Sequence, residues 1–194
     1  AYCMRHPPPH HVARGDRVSS SKGLVLVTGG AGFIGSHTVD LLLERGYDVR
    51  ILDLLQERVH PHGKPDWVPR ESDFMLGDVS DRHAMGRALA GVDYVIHLAA
   101  YQDYLPDFST FIHTNAESTA LIFELIVERK LPVRKVVVAS SQAVYGEGKY
   151  ACPEHGVAYP GSRPLEQLRR GAWELRCPSC DAELTPQWIT EDVV

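Results

Sequence analysis

The chain has 194 residues, of which 44% are hydrophobic and 23% are charged, and its formal net charge is −5. This length accommodates one sizeable domain and a small appendage, and the composition is that of an ordinary globular protein. The acidic balance gives no reason to expect nucleic acid or an anionic membrane as a partner, and no apolar stretch reaches the ~20 residues that span a bilayer.

Residues 1–22 are rich in proline, histidine and serine and contain almost no apolar side chains. They lack the apolar core of a secretion signal, so we interpret them as a disordered leader. A cytoplasmic location follows by default.

The segment from Leu24 to Gly35 combines an apolar run, four glycines and the start of an amphipathic helix. Leu24–Val27 predicts a short buried strand, and Phe33–Arg45 predicts a helix that Gly46 closes. Strand, glycines and helix in this order predict a cradle in which bare backbone amides and the helix N-terminus hold the pyrophosphate of a dinucleotide. The expected cofactor contacts in this segment are Gly29, Gly30, Gly32, Phe33, Ile34 and Gly35.

A second apolar run, Val49–Leu52, predicts a strand that ends at Asp53, 18 residues beyond Gly35. A carboxylate at this position accepts hydrogen bonds from the adenosine ribose and repels a 2′-phosphate, which favours NAD over NADP. An ordinary turn aspartate is the alternative. Arg58 follows closely enough to contact a phosphate, so the cofactor preference stays open.

Three further strands are predicted at Phe74–Leu76, Tyr94–Leu98 and Val136–Ala139. Helices separate them: Asp81 is a predicted cap for the first, and an apolar stripe over 111–126 predicts a second that packs on the sheet. Strands that alternate with helices indicate an α/β fold, a doubly wound parallel sheet of the Rossmann type. Ligands of such sheets bind at the carboxyl ends of the strands.

Polar and small residues cluster at these predicted strand ends. Asp78 is placed to hydrogen-bond the adenine amino group, although an aspartate after glycine is also common in plain turns. We interpret His97 as a structural histidine, and Asn115 as a residue that orders the strand ends or the nicotinamide side of the site. The additional cofactor contacts expected here are Asp78, Val79, Leu98, Ala99, Ala100 and Asn115.

Taken together, these motifs resemble the extended short-chain dehydrogenase/reductases, in the branch of nucleotide-sugar epimerases and dehydratases. The similarity covers roughly residues 23–148. It implies NAD bound across the sheet, a nucleoside-diphosphate sugar as substrate, and transient hydride transfer. The matching segments are Thr28–Gly35, Asp53, Gly77–Asp78, His97–Ala100, Asn115 and Ser140–Gly146.

The resemblance also implies a catalytic role for Ser141, which would hydrogen-bond the reacting sugar oxygen. The family's base is a tyrosine with a lysine four residues later on one helical turn. Tyr145 and Lys149 have this spacing, but the two glycines between them oppose a helix. We therefore expect the cofactor-binding part of a longer enzyme, inactive as this segment; the alternative is a catalytically silent NAD-binding scaffold or sensor. A homodimer of the full-length protein is compatible with the resemblance.

Two ligand pairs, Cys152 with His155 and Cys177 with Cys180, are separated by 21 residues. Three sulfurs and one imidazole suit a closed, structural Zn²⁺ site, so 149–185 is interpreted as a zinc-ribbon-like insertion. A disulfide, a redox Cys-x-x-Cys and unliganded thiols are the alternatives; a cytoplasmic location argues against the first and the lack of a thioredoxin-like setting against the second. If the chain is instead a catalytically silent scaffold or sensor, the zinc-ribbon-like insertion would be the part that binds a partner. Residues 186–194 are interpreted as a truncated lead-in to a missing C-terminal part.

Overall fold

The computed structural model describes residues 21–191. Most of the expected leader (1–20) and the last three residues of the expected lead-in (192–194) lie outside the described residues. The described chain divides into two compact units, one ending at Ala139 and the other beginning at Ser140.

The first unit contains a five-stranded sheet in which every neighbouring pair of strands is parallel, in the order β3-β2-β1-β4-β5. The chain leaves the edge strand β3 and returns on the far side of β1, so the sheet has a topological switch point between β1 and β4. This is the doubly wound Rossmann arrangement expected from the sequence. The strands are β1 (Leu24–Thr28), β2 (Asp48–Asp53), β3 (Asp73–Leu76), β4 (Tyr94–His97) and β5 (Lys135–Val138).

The connections after the strands are helical where the sequence predicted helices. The capping predictions are confirmed: Asp81 accepts a hydrogen bond from the His83 amide, and Gly46, with φ of 84°, follows the end of the first helix. Among residues 21–191 no helix is long and apolar enough to cross a membrane. The helices are α1 (Phe33–Glu44), α2 (Arg82–Ala88), α3 (Phe108–Phe111), a π-helical turn (Ile112–Glu117) and α4 (Ser118–Glu128).

Both faces of the sheet are packed, which explains why the strands are continuous apolar runs. Side chains alternate along β1: Val25 and Val27 join one buried cluster, and Leu26 joins the other. The second cluster also contains Ile122 and Leu125 of α4. Each large side chain removed from water in this way contributes roughly 1.5–3 kcal/mol.

The apolar stripe predicted over 111–126 packs on the sheet only in its second half. Leu121, Ile122 and Leu125 are buried, whereas Ile112 is 63% exposed. The exposed part coincides with the π-helical turn, none of whose residues is buried and whose wider repeat departs from the 3.6-residue repeat that the stripe assumes. The 3.6-residue periodicity of the sequence does not reveal this change.

The second unit contains a small antiparallel sheet in the order β7-β6-β8. Its strands are β6 (Tyr150–Cys152), β7 (Gly156–Ala158) and β8 (Thr185–Pro186), and its helix is α5 (Leu165–Arg169). The buried apolar residues of this unit are Cys152, Leu175, Cys177 and Leu184.

Candidate functional site

The glycine turn between β1 and α1, with the first turn of α1, is compact enough to exclude side chains at three positions. A Cβ on Gly30 would lie 2.7 Å from Cγ2 of Ile51. Gly29 has φ of 68°, and a Cβ there would lie 2.8 Å from the Ala99 nitrogen. A Cβ on Gly35 would lie 2.1 Å from the Gly29 carbonyl oxygen. These glycines therefore allow α1 to pack directly against the turn, as the third glycine of a dinucleotide fingerprint does.

Gly32 differs from its neighbours because the fold itself does not need a glycine there. Its φ of −72° and ψ of 179° suit any residue, and its Cβ would meet only the Gly29 oxygen, at 3.3 Å. Gly32 is the N-cap residue of α1 and lines a cavity. Its missing side chain thus opens space at the helix N-terminus, where the dipole favours an anion.

That cavity, of about 260 Å³, lies at the carboxyl ends of the first four strands. Eight of the expected cofactor-binding residues meet there: Gly29, Gly32, Asp53, Asp78, Val79, Leu98, Ala99 and Ala100. The other five do not line it. Gly30 is buried in the turn and Gly35 is buried in the first turn of α1, while Phe33 and Ile34 are 63% and 67% exposed on α1. Asn115 lies on the π-helical turn.

The two aspartates at the cavity hold backbone amides. Asp53 is 9% exposed, and its Oδ2 accepts from the Ala31 amide and its Oδ1 from the Leu55 amide, both at 2.9 Å. Asp78 accepts from the amide and the hydroxyl of Ser80, both at 2.8 Å. Each carboxylate oxygen has a second lone pair, so Asp53 retains acceptor capacity for a ligand hydroxyl.

Nine residues that line the cavity are outside the predicted set of cofactor contacts. Two of them, Leu52 and Gly77, belong to segments that the sequence analysis named for other reasons. The seven that it missed altogether are Leu54, Gln56, Val59, His60, Tyr101, Thr110 and Thr114. Thr110 and Thr114 are four residues apart, and this helical spacing is the one sequence signal that could have found any of them. The residues after β2 carry no motif. Near them, Arg58 forms an ion pair with Asp103.

Asn115 connects the π-helical turn to the loop that follows β4. Its Oδ1 accepts from the Tyr101 amide at 2.7 Å, and its Nδ2 donates to the Tyr101 carbonyl at 2.9 Å. Both backbone groups of Tyr101 are thereby fixed, next to Ala100 in the cavity wall. Single π turns inside helices often occur at functional sites, and this one carries the residue that holds the backbone of Tyr101.

His97 joins three elements through a complete set of hydrogen bonds. The Ser118 hydroxyl donates to the Thr114 carbonyl, so it accepts from His97 Nε2, at 3.0 Å. Nδ1 consequently accepts from the Thr28 hydroxyl, at 2.6 Å. The side chain is 3% exposed, and burial lowers its pKa to about 4. These contacts agree with the structural role predicted for His97.

The depressed pKa of His97 makes folding depend on pH. Unfolding returns the pKa to 6.5, so between pH 4 and 6.5 the unfolded chain binds more protons. The stability that neutral His97 supports is therefore present above about pH 6.5 and is lost as the pH falls toward 4.

Ser141 is the second residue of the second unit and caps the 3₁₀ turn Gln142–Tyr145, where its Oγ accepts from the Ala143 amide at 3.2 Å. Gly146 and Gly148 follow with φ of 61° and 97°. Tyr145 and Lys149 therefore do not share a helical turn. This agrees with the interpretation that their spacing does not mark the tyrosine–lysine pair of the family.

Two turns of the second unit bring their ligand-type side chains together. Cys152 ends β6 and His155 lies in the β6–β7 turn, while Cys177 and Cys180 lie in a later turn. The four ligand atoms all lie within 4.8 Å of one another. The Cys152–Cys180 sulfurs are 3.6 Å apart, and the Nδ1 of His155 is 3.6 Å from Cys152 Sγ and 3.7 Å from Cys177 Sγ.

The thiols of this cluster have different acidities. Partial burial opposes ionisation of Cys152, but the Glu154 and His155 amides and the His155 ring lower its pKa to about 6. The Ala182 amide favours ionisation of Cys180. Burial and the sulfurs of Cys152 and Cys177 outweigh it and raise the pKa of Cys180 to about 11. Neighbouring sulfurs thus resist carrying several negative charges without a cation.

The parallel sheet, its switch point and the glycine turn define a Rossmann-type α/β protein. A sequence model of the NAD dependent epimerase/dehydratase family matches residues 25–166. The chain belongs to this family.

Several individual proteins are similar to the chain. A dTDP-L-rhamnose 4-epimerase of Burkholderia thailandensis is 31% identical over 78% of this chain and 43% of its own length. A UDP-glucose 4-epimerase of Thermus thermophilus, solved in complex with NAD, is 35% identical with a TM-score of 0.56, over 73% of this chain and 44% of that one. A UDP-glucose 4-epimerase of Thermotoga maritima, solved with UDP-glucose, is 32% identical with a TM-score of 0.57. The match covers 71% of this chain and 45% of that one. The chain thus spans less than half the length of these relatives.

Proposed function

We propose that this chain is the NAD-binding part of a nucleoside-diphosphate-sugar epimerase or dehydratase that acts by transient hydride transfer. The observation that carries the proposal is the cavity at the strand ends, where Gly29, Gly32, Asp53 and Asp78 meet in a chain of this family. The similar Thermus enzyme was solved with NAD and the similar Thermotoga enzyme with UDP-glucose.

The residues of the cavity fit the parts of a dinucleotide. The amides at the N-terminus of α1, behind the bare Cα of Gly32, bind the pyrophosphate. Asp53 accepts from the adenosine ribose with its remaining lone pairs, and Asp78 faces the adenine. The Ala99 and Ala100 side chains are small enough for the cofactor to approach the backbone. The remaining members of the predicted contact set, Gly30, Phe33, Ile34, Gly35, Val79, Leu98 and Asn115, shape or support this groove.

The charges near Asp53 favour NAD over NADP. A 2′-phosphate would meet the Asp53 carboxylate at close range. Arg58, the cation that could compensate, is paired with Asp103. The preference therefore follows from both an acidic residue that repels the phosphate and a basic residue that is already engaged.

The chemistry of the family needs more than this cavity. Bound NAD supplies a hydride acceptor and donor. Ser141 is proposed as the hydrogen-bond donor to the reacting sugar oxygen, since its bond to the Ala143 amide uses a lone pair and leaves the hydroxyl proton. Among residues 21–191 no tyrosine and lysine share a helical turn at the family's spacing. The segment by itself is thus expected to bind NAD with little or no sugar turnover.

Calorimetric titration of the chain with NAD and NADP tests the proposal. NAD should bind at least tenfold more tightly than NADP, and an absence of NAD binding would overturn the proposal. A natural reading frame that continues beyond Val194 into a Tyr-x-x-x-Lys helix should give transient absorbance of reduced NAD when a nucleotide sugar is added. A natural stop at Val194 combined with NAD binding would favour the silent scaffold or sensor module instead.

The second cofactor of the proposal is a structural Zn²⁺ held by Cys152, His155, Cys177 and Cys180. A tetrahedron with Zn–S near 2.3 Å and Zn–N near 2.0–2.1 Å has S–S edges of about 3.8 Å and S–N edges of about 3.6 Å. Three of the six edges, at 3.6, 3.6 and 3.7 Å, agree with these values, and all four ligand atoms lie within 4.8 Å of one another. With four protein ligands no position is left for water, so the role is structural. Mass spectrometry of metals should find one Zn per chain, and a chain purified without bound metal that also fails to bind Co²⁺ would contradict the site.

A further inference from the structure

We infer that the metal proposed for the second unit is also what folds it: residues 149–186 hold their structure only while the cluster is occupied, and the first unit folds without it. This inference rests on the proposed Zn²⁺ site. It concerns stability and is independent of whether the first unit binds NAD.

The apolar core of the second unit is too small to fold it unaided. Its buried members are Leu175, Leu184 and the two ligands Cys152 and Cys177, so half of the core consists of metal-binding side chains. The three strands have two or three residues each, and α5 has five. The proposed metal-dependent segment, 149–186, has 38 residues, and segments below about 40 residues usually need disulfides or a metal because they bury too little surface.

The cluster joins two hairpin-like segments that are far apart in sequence. Cys152 and His155 belong to the β6–β7 hairpin, where Cys152 pairs with Gly156. Cys177 and Cys180 belong to a turn closed by the Arg176–Glu183 bridge and by the bond from the Cys177 amide to the Ala182 carbonyl, at 2.8 Å.

Apart from the cluster, the contacts that join these two segments are short. They include the register pairs between β6 and β8, Tyr150 with Pro186 and Ala151 with Thr185, the bond from the Gln187 amide to the Lys149 carbonyl, at 2.9 Å, and the small core. A metal bound by both segments closes the long loop between them and removes conformational freedom from the unfolded chain.

The first unit contains none of the four ligands and has two apolar clusters of its own. Val25 and Leu26 of its central strand are 2% and 0% exposed, on opposite faces of the sheet. Metal removal should therefore act locally, and a single cooperative loss of both units is not expected.

Hydrogen exchange of the full 194-residue chain, followed by mass spectrometry, separates the two units. In the reduced protein, chelation of Zn²⁺ should accelerate exchange at the Cys177 and Leu184 amides at least tenfold, since both are hydrogen-bonded within the second unit. Peptides over 24–139 should not change. Addition of Zn²⁺ should restore the protection.

Variants distinguish a metal effect from a packing effect. His155→Ala should lose both the metal and the protection of 149–186, whereas His155→Cys should retain both, because four thiolates also form a structural zinc site. Cys3→Ser, which replaces the one cysteine of the sequence that is not a proposed ligand, is the matched control and should behave as the wild type.

Each outcome has a separate meaning. Stoichiometric Zn²⁺ with equal protection before and after its removal would overturn the inference and leave the Zn²⁺ site standing. Accelerated exchange over 24–139 as well would overturn the claim that the effect is local. A protein without metal whose second unit is nonetheless protected would overturn both proposals, and NAD titration of the same samples reports on the first unit alone.

Discussion

Substitution of Gly32 separates the binding of NAD from the stability of the fold. Its backbone, with φ of −72° and ψ of 179°, accepts any residue, and an added Cβ would meet only the Gly29 oxygen, at 3.3 Å. Gly32→Ala and Gly32→Val should therefore fold with melting temperatures close to that of the wild type. Their new methyl groups would occupy the cavity at the N-terminus of α1.

The expected loss of affinity follows from the cost of forcing methyl groups into an occupied space. Overpacking costs about 1–3 kcal/mol, which raises Kd roughly 5–150-fold. At a concentration of 100 Kd, NAD stabilises the wild type by about 2.7 kcal/mol, or roughly 5–11 °C for a chain of this size. If Gly32→Val raises Kd about hundredfold, the same NAD concentration gives about 0.4 kcal/mol and a shift near 1 °C.

Thermal melting with and without NAD, together with calorimetric titration, measures both quantities. Gly35→Ala is the contrasting variant, because its Cβ would lie 2.1 Å from the Gly29 oxygen and the folded protein should be lost. A Gly32→Val protein that folds and still shows the full NAD-induced shift would refute the assignment of this turn as the pyrophosphate site.

Three further predictions concern groups around the cavity. Between pH 7 and pH 5, protonation linked to His97 should lower the free energy of unfolding by about 2 kcal/mol, and His97→Gln should remove that part of the pH dependence in denaturant titrations; an unchanged slope would contradict the buried neutral ring. Asp103→Asn releases Arg58 from its ion pair, so the affinity for NADP should rise severalfold while the affinity for NAD stays constant. Calorimetry that finds no change for NADP would show that the ion pair does not control the preference for NAD over NADP. Asn115→Ala leaves the amide and carbonyl of Tyr101 without this partner. It should lower the free energy of unfolding by about 1 kcal/mol and weaken the affinity for NAD. Denaturation midpoints equal to that of the wild type would argue against a stabilising contact between Asn115 and Tyr101.

Much of the first unit could be predicted from the sequence because its signals are local. The run Leu24–Val27 is apolar throughout because its strand is covered on both faces. Asp81 begins α2 and Gly46 follows the end of α1, and each does so through hydrogen bonds to residues two or three positions away. The spacing of the glycines also indicates close packing, because Gly35 lies against the backbone of Gly29, only six residues earlier in the chain.

Contacts between distant residues around the site could not be predicted from the sequence. Arg58 is expected near a phosphate, but no motif marks its ion pair with Asp103, 45 positions away. Asn115 bonds both backbone groups of Tyr101, 14 positions away, from a π-helical turn that the sequence pattern does not reveal. A prediction from helical periodicity assumes 3.6 residues per turn throughout. It therefore places the first half of the apolar stripe over 111–126 against the sheet, although Ile112 is exposed.

The sequence alone determined which residue types could bind a dinucleotide and which could bind a metal, because chemistry and local backbone preference are properties of short segments. The tertiary structure decided which of them meet. The strand order β3-β2-β1-β4-β5 brings Asp53, Asp78 and Ala99 to one cavity, and the turns of the second unit bring Cys152 to 3.6 Å from Cys180. Such contacts depend on the pairing of distant strands and turns, which no short stretch of sequence specifies.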